Sequence, residues 1–276
     1  MPDQIDLSEM ESVPVMGPNG YLRLHRHWLE PDGAMWDGIW DKTPSTDYWR
    51  DAMAGNMARD YERLFSRYLA PGTRVLEAGC GVGQMVIALR ARGFDCVGVD
   101  FAGKTIEMLN DRFPEIPFQH GDIRALPFDA RSFDAYISLG VIEHFPEGQD
   151  TMLKEAARVV KPGGWIFLSV PAFNGWRQLR ARLGLYDATA TKPFFEACYD
   201  VEEVELLLAN AGFAPVERFF QNTPMTFAQE TPIRPLYRHI EDTRRLRGAV
   251  DRLLRLVLPK PIFGHMVMVV ARRTQN

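Results

Sequence analysis

The chain has 276 residues, of which 46% are hydrophobic and 25% charged, with a formal net charge of −4. That length suits one large α/β domain with additions, and that composition excludes a disordered chain. The charge supplies no global field to recruit nucleic acid. The three cysteines have neither disulfide-framework nor CxxC spacing, and no run reaches the roughly 18 apolar residues of a transmembrane span. Met1–Ser12 is acidic and polar, unlike a secretory leader, so a reduced, cytoplasmic setting is expected.

An N-terminal extension covers residues 1–60. Trp28, Trp36, Trp40 and Trp49, with Tyr48 beside the last, lead into a helical pattern over Tyr48–Leu69. Such a segment can fold over a site as a lid, or its aromatics can merely pin it to the domain. His25-x-His27 is half a metal site that nothing nearby completes, so solvent-facing histidines are expected. The main domain spans 61–272. Strands are expected at Thr73–Glu77, Phe94–Val99, Pro117–His120, Phe133–Leu139, Trp165–Val170, Phe213–Phe220 and Phe263–Ala271. Helices are expected at Val82–Arg92, Lys104–Arg112, Gln149–Val160 and Val201–Ala211. This alternation predicts an α/β fold, a doubly wound seven-stranded and mostly parallel sheet, carrying helical lid segments at the N-terminus and in insertions at 172–197 and 221–262.

The turn after the first strand reads Glu77-Ala78-Gly79-Cys80-Gly81-Val82-Gly83. Glycines there permit positive φ and close approach of a ligand to the backbone. Gln84 stands where a dinucleotide fingerprint needs its third glycine, and no Lys-Ser/Thr pair follows, so neither a G-x-G-x-x-G site nor a phosphate-binding P-loop is indicated. Asp100, ending the second strand, can accept hydrogen bonds from both hydroxyls of a ribose or can cap the next helix. Asp122 can accept from an adenine amine while Ile123 packs on the ring, or it can cap its own turn.

Taken in order, Val75–Gly83, Val97–Asp100, Gly121–Phe128, Phe133–Phe145 and Leu153–Gly164 resemble the successive motifs of class I S-adenosylmethionine-dependent methyltransferases, closest to the small-molecule group that includes ubiquinone and menaquinone methyltransferases. The resemblance covers roughly Tyr61–Phe220 and implies S-adenosylmethionine as cofactor. It implies that Glu77, Gly79 and Gly81 line the methionine part, with Cys80 a small filler between them and Gly83 allowing close passage. It further implies that Asp100 holds the ribose, that Phe101 packs on the adenine, that Asp122 and Ile123 flank it, and that Leu139 lies near the sulfonium. Tyr48 and Trp49 are candidate cofactor contacts from the extension. His144, after the fourth strand, is the candidate catalytic base, or else a structural side chain.

The expected activity is methyl transfer to an oxygen or nitrogen of a small molecule, with no bound metal and no nucleic-acid partner. A non-catalytic cofactor-binding protein on the same fold and, less favoured, an NAD-dependent oxidoreductase are the alternatives. Residues 234–260 form a basic amphipathic pattern that can serve as a lid, a solvated face, or a contact for a membrane surface or an acidic partner. Phe173-Asn174-Gly175-Trp176 sits where an acceptor can be recognised. The sequence sets no oligomeric state.

Overall fold

The computed structural model describes residues 10–41, 46–147, 149–221, 223–231, 237 and 243–275. In chain order it begins with a hairpin, β1 (Glu11–Met16) and β2 (Leu22–His27), followed by α1 (Gly33–Asp41). A 3-10 turn at Thr46–Trp49 leads into α2 (Arg50–Met53) and α3 (Arg59–Tyr68). The core then alternates β3 (Arg74–Ala78), α4 (Gln84–Ala91), β4 (Asp95–Asp100), α5 (Gly103–Arg112), β5 (Phe118–His120), β6 (Phe133–Leu139), α6 (Gln149–Val159) and β7 (Val160–Pro171). After it come α7 (Gly175–Arg182), β8 (Phe194–Cys198), α8 (Val201–Asn210), β9 (Phe213–Gln221) and α9 (Thr223–Glu230). The chain closes with α10 (Arg244–Val257), α11 (Lys260–Phe263) and β10 (Met266–Arg273).

The main sheet has the order β5-β4-β3-β6-β7-β10-β9. β10 runs antiparallel to β7 and β9, and the other neighbours pair in parallel. Strand order reverses between β3 and β6, and an open α/β sheet leaves a crevice at that point beyond its carboxyl ends. The strands there are apolar because helices cover both faces: Val75, Leu76, Ala135, Ile137, Phe167 and Leu168 are buried. Helix boundaries follow local chemistry. Asp200 caps α8 by accepting from Glu202 N at 3.0 Å, Val204, Leu207 and Leu208 form its buried stripe, and Gly212 at φ +88° releases the chain into β9.

Several expectations change. The helix expected over Tyr48–Leu69 is broken into α2 and α3 around Gly55, whose φ is +74°. Strand β7 starts at Val160 rather than Trp165: Phe133 pairs with Val160 and Ala135 with Trp165, so Lys161–Gly164 bulge out between them. The extension and the first insertion are not purely helical, because β8 joins the N-terminal hairpin in a second, antiparallel sheet ordered β1-β2-β8. His25 and His27 are not simply solvent-facing either; both pack edge-on against Phe194, and partial burial lowers His25 to about 4. No group of three or more metal-ligating side chains exists among the described residues. Of the basic amphipathic stretch 234–260, residues 234–236 and 238–242 lie outside the described residues.

A buried ionic cluster joins these additions. Arg26 of β2 pairs with Glu196 of β8 and Glu230 of α9, each at 2.7 Å, and Arg177 of α7 pairs with Glu230 at 2.6 Å. All four side chains are almost wholly removed from water. The cluster thus fixes the hairpin, the first insertion and the second insertion relative to one another.

Candidate functional site

The glycine turn is anchored to the neighbouring strand, with Gly79 N and Cys80 N donating to Val99 O at 2.8 and 3.0 Å. Gly79, Gly81 and Gly83 have φ of +82°, +49° and +72°, values that L side chains rarely adopt. The space around each is also occupied. A Cβ on Gly79 would sit 2.3 Å from Val141 Cγ2, and one on Gly81 would sit 3.0 Å from the Trp40 ring. A Cβ on Gly83 would strike the Phe118 ring at 2.6 Å. Gly83 therefore admits a core aromatic ring and does not line the cavity, which departs from its expected role.

The turn opens into a cavity of about 740 Å³ beyond the carboxyl ends of β3, β4 and β6. That is room for a nucleoside-sized ligand together with a second small molecule. Glu77, Gly79, Cys80, Gly81, Asp100, Phe101, Asp122, Ile123, Leu139 and Tyr48 all line it. Glu77 is almost fully buried and its Oε2 has no hydrogen-bond partner. Burial raises its carboxyl to about 8, with the Asp100 charge adding to the effect. An unpaired carboxyl at the wall of a cavity suits a ligand ammonium group. Asp100 accepts from Gly81 N at 2.8 Å and Ala102 N at 2.9 Å, so it ties the turn to the start of α5 while facing the cavity. Asp122 accepts from Arg124 N at 2.8 Å and forks with the Arg124 guanidinium, which lowers its pKa. The Cys80 thiol is pushed well up by burial, so it is a filler and not a nucleophile.

The N-terminal extension covers this end. On α1, Trp36 and Trp40 stack at 5.9 Å over the turn. Asp37 between them accepts from Thr105 N at 3.0 Å and Thr105 Oγ1 at 2.9 Å, capping α5, which has no side-chain cap of its own. Tyr48 reaches the cavity; Trp49 does not. The Trp49 indole donates to Val82 O at 2.7 Å and packs on Phe113, bracing the turn from behind.

Two histidines face the other half of the cavity. His144 Nδ1 lies 2.9 Å from Phe195 O, so this nitrogen carries the proton and donates. Nε2 then holds the lone pair, and it has no partner. Burial between Trp36 and Phe195 lowers the His144 pKa, keeping the ring neutral. His265 is set the opposite way. Arg177 Nη2 donates to its Nδ1 at 2.9 Å, so Nε2 carries the proton. Burial and the nearby arginines hold His265 well below the usual imidazole range.

A family model described as a methyltransferase domain matches residues 76–168. The chain is 35% identical over 150 residues to a demethylmenaquinone methyltransferase of Renibacterium salmoninarum, covering 52% of this chain and 61% of that protein. It is 34% identical over 124 residues to a ubiquinone biosynthesis O-methyltransferase of Paracidovorax citrulli, covering 42% and 52% respectively. This chain therefore spans between half and two thirds of these relatives' length. Among solved structures, the complex of the Haloferax volcanii Trm112 methyltransferase activator with its putative methyltransferase superposes with a TM-score of 0.55 at 17% identity. That match covers 87% of this chain and 97% of the other, and it shows the shared fold. Residues 76–168 thus match a methyltransferase domain, and the chain around them has the class I methyltransferase fold.

S-adenosylmethionine is the cofactor of that family, and the unpaired Glu77 oxygen together with the crowded glycine turn fits it. The stretch matched by the methyltransferase family model runs from β3 into β7 and builds the turn, Asp100, Asp122 and His144. Tyr61, Trp36, Trp40, Met225 and His265, which the sequence reading did not single out as site residues, complete the cavity around the methyltransferase domain. The Trp-rich run was the one signal available for α1. His265 had none, because it precedes a strand whose next six residues are all apolar and buried.

Proposed function

We propose that the protein transfers the methyl group of S-adenosylmethionine to an oxygen or nitrogen of a small-molecule acceptor. Residues 61–272 act as the catalytic domain and 1–60 as its cap. The observation that carries this reading is the single cavity that joins the glycine turn and Asp100 to the unpartnered Nε2 of His144. The cofactor supplies an activated methyl group on a sulfonium. Glu77 and the backbone of Gly79 and Gly81 hold the methionine part, Asp100 the ribose, and Asp122 with Ile123 and Phe101 the adenine. Leu139 lines the wall near the sulfonium.

The protein's contribution is then positioning and exclusion of water, worth on the order of 7–11 kcal/mol when two reactants are held in line. His144 Nε2 is placed to take the proton of the acceptor's hydroxyl or amine, and the bound cofactor would supply the electrophilic methyl group. The Nδ1–H bond to Phe195 O keeps the accepting lone pair aimed inward. The relatives' names, one of them an O-methyltransferase, favour an oxygen acceptor.

The test is release of S-adenosylhomocysteine on incubation with a library of phenols, enols, hydroxy acids and amines. His144→Ala should lower turnover at least tenfold while leaving cofactor affinity nearly intact. No release with any acceptor class would favour the non-catalytic binder, and unchanged turnover would remove His144 as the base.

A further inference from the structure

Helix α10 has two faces that differ in what they meet. Toward the domain, Leu254 is buried, and Val250 and Leu258 pack with Tyr237 and Phe227. Beside them Arg247, Asp251 and Arg255 line the cavity. On the far side Leu246, Ala249, Leu253 and Leu256 recur at three- and four-residue spacing with Val257 alongside, which aligns them in one stripe. Leu246, Leu253, Leu256 and Val257 are 47%, 57%, 79% and 60% exposed. A surface helix normally turns leucines inward; this one has satisfied its inward face and still shows a second apolar stripe to solvent.

The charge on the helix says what fits that stripe. Its sequence holds five arginines and a single acid, Asp251, which accepts a hydrogen bond from the Tyr237 hydroxyl on the other side. Arg252, next to Leu253, is exposed. Arg252 is the arginine shown beside the stripe, and a second copy would set it against its own counterpart, since the helix's one carboxylate, Asp251, is engaged by Tyr237 on the inward side. An anionic bilayer surface satisfies both features, taking the leucines at the headgroup–acyl boundary and the guanidinium groups at its phosphates. Further exposed apolar side chains lie on α11 and α7, which pack on each other. Exposed Ile262 of α11 lies against Gly175 of α7, and exposed Leu179 and Leu183 follow along that face of α7, flanked by the exposed Arg182 and Lys260.

We propose that α10, with the adjoining end of α7 and α11, docks the protein on an anionic lipid surface, placing one wall of the cavity at the membrane boundary. The docking is peripheral: no described helix is long and apolar enough to cross a membrane. It is independent of methyl transfer and can be read without turnover.

The test is co-sedimentation of the full chain with vesicles of phosphatidylglycerol and phosphatidylcholine, against phosphatidylcholine alone, at low and high salt. Association with the anionic vesicles is expected, weakened by salt and reduced at least tenfold in Leu253→Glu/Leu256→Glu. A Leu253→Ser/Leu256→Ser variant should give an intermediate loss. Melting temperature and cofactor affinity should stay unchanged in both, since neither side chain packs inward or faces the cavity. Absence of vesicle association, equal association with both lipids, or equal association of the variants would overturn the proposal. So would light scattering that shows a dimer split by the same substitutions, which would assign the stripe to a second copy.

Discussion

Replacing Glu77 with glutamine tests the cofactor end of the cavity through its proton. Burial holds the Glu77 carboxyl at about 8, so at pH 7 about nine-tenths of the free protein carries the proton there. A ligand ammonium beside Oε2 favours the carboxylate, so binding S-adenosylmethionine at pH 7 should expel about 0.9 proton. The ligand's own α-amine is already mostly protonated at that pH and changes little. Calorimetry in buffers of different ionisation enthalpy reads the number directly, and Glu77→Gln should bring it close to zero and weaken binding. The same proton sets a stability profile. The folded protein keeps it after the unfolded chain has lost it, so stability falls as pH rises from about 4.5 to about 8. At about 1.4 kcal/mol per unit, the full span is at most roughly 5 kcal/mol. Glu77→Gln should flatten that decline and be the more stable form at pH 8. Proton release equal in the two proteins would refute the assignment of Glu77 to the ligand ammonium.

Gly79→Ala forces a side chain into φ +82° and onto Val141, so it should lower the melting temperature and abolish cofactor binding, both readable by thermal shift with and without ligand. The strain of the left-handed conformation alone is about 1–2 kcal/mol. Asp37→Ala removes the cap that α1 supplies to α5, a loss of about 1 kcal/mol in denaturant unfolding, and should alter the fluorescence of Trp36 and Trp40 as α1 loosens. Glu230→Ala takes from buried Arg177 its carboxylate partner and leaves Arg26 only Glu196, and should destabilise by about 3–5 kcal/mol, whereas losing one exposed pair such as Arg218–Glu202 should cost under 1 kcal/mol.

The parallel core was legible because its signals are local. Runs such as Val75–Ala78 and Phe133–Leu139 are mostly apolar since both faces are covered, and the glycine turn needs residues that only positive φ explains. The N-terminal hairpin was not legible. In Leu22–His27, Arg23 and Arg26 are buried and paired with Glu203 and Glu196, so polar letters occupy inward positions and the alternation disappears. Strand β8 was missed with it, because its partner is the hairpin and lies about 170 residues earlier in the chain. Within the site, Glu77, Asp100 and Asp122 follow strand ends and could be placed by counting. Gly83 and Trp49 could not: whether a glycine faces ligand or a core ring, and whether an indole lines a cavity or props the turn behind it, depends on Phe118 and Phe113 arriving from elsewhere. The opposed tautomers of His144 and His265 depend likewise on a carbonyl and a guanidinium contributed by the first insertion.

The most direct measurement is calorimetric titration of the full chain with S-adenosylmethionine, with NAD in parallel. The structure predicts one site per chain for S-adenosylmethionine, competed by S-adenosylhomocysteine and weakened at least tenfold in Asp100→Ala, with no heat from NAD. No binding of S-adenosylmethionine, or binding of NAD at the same site with similar affinity, would contradict it.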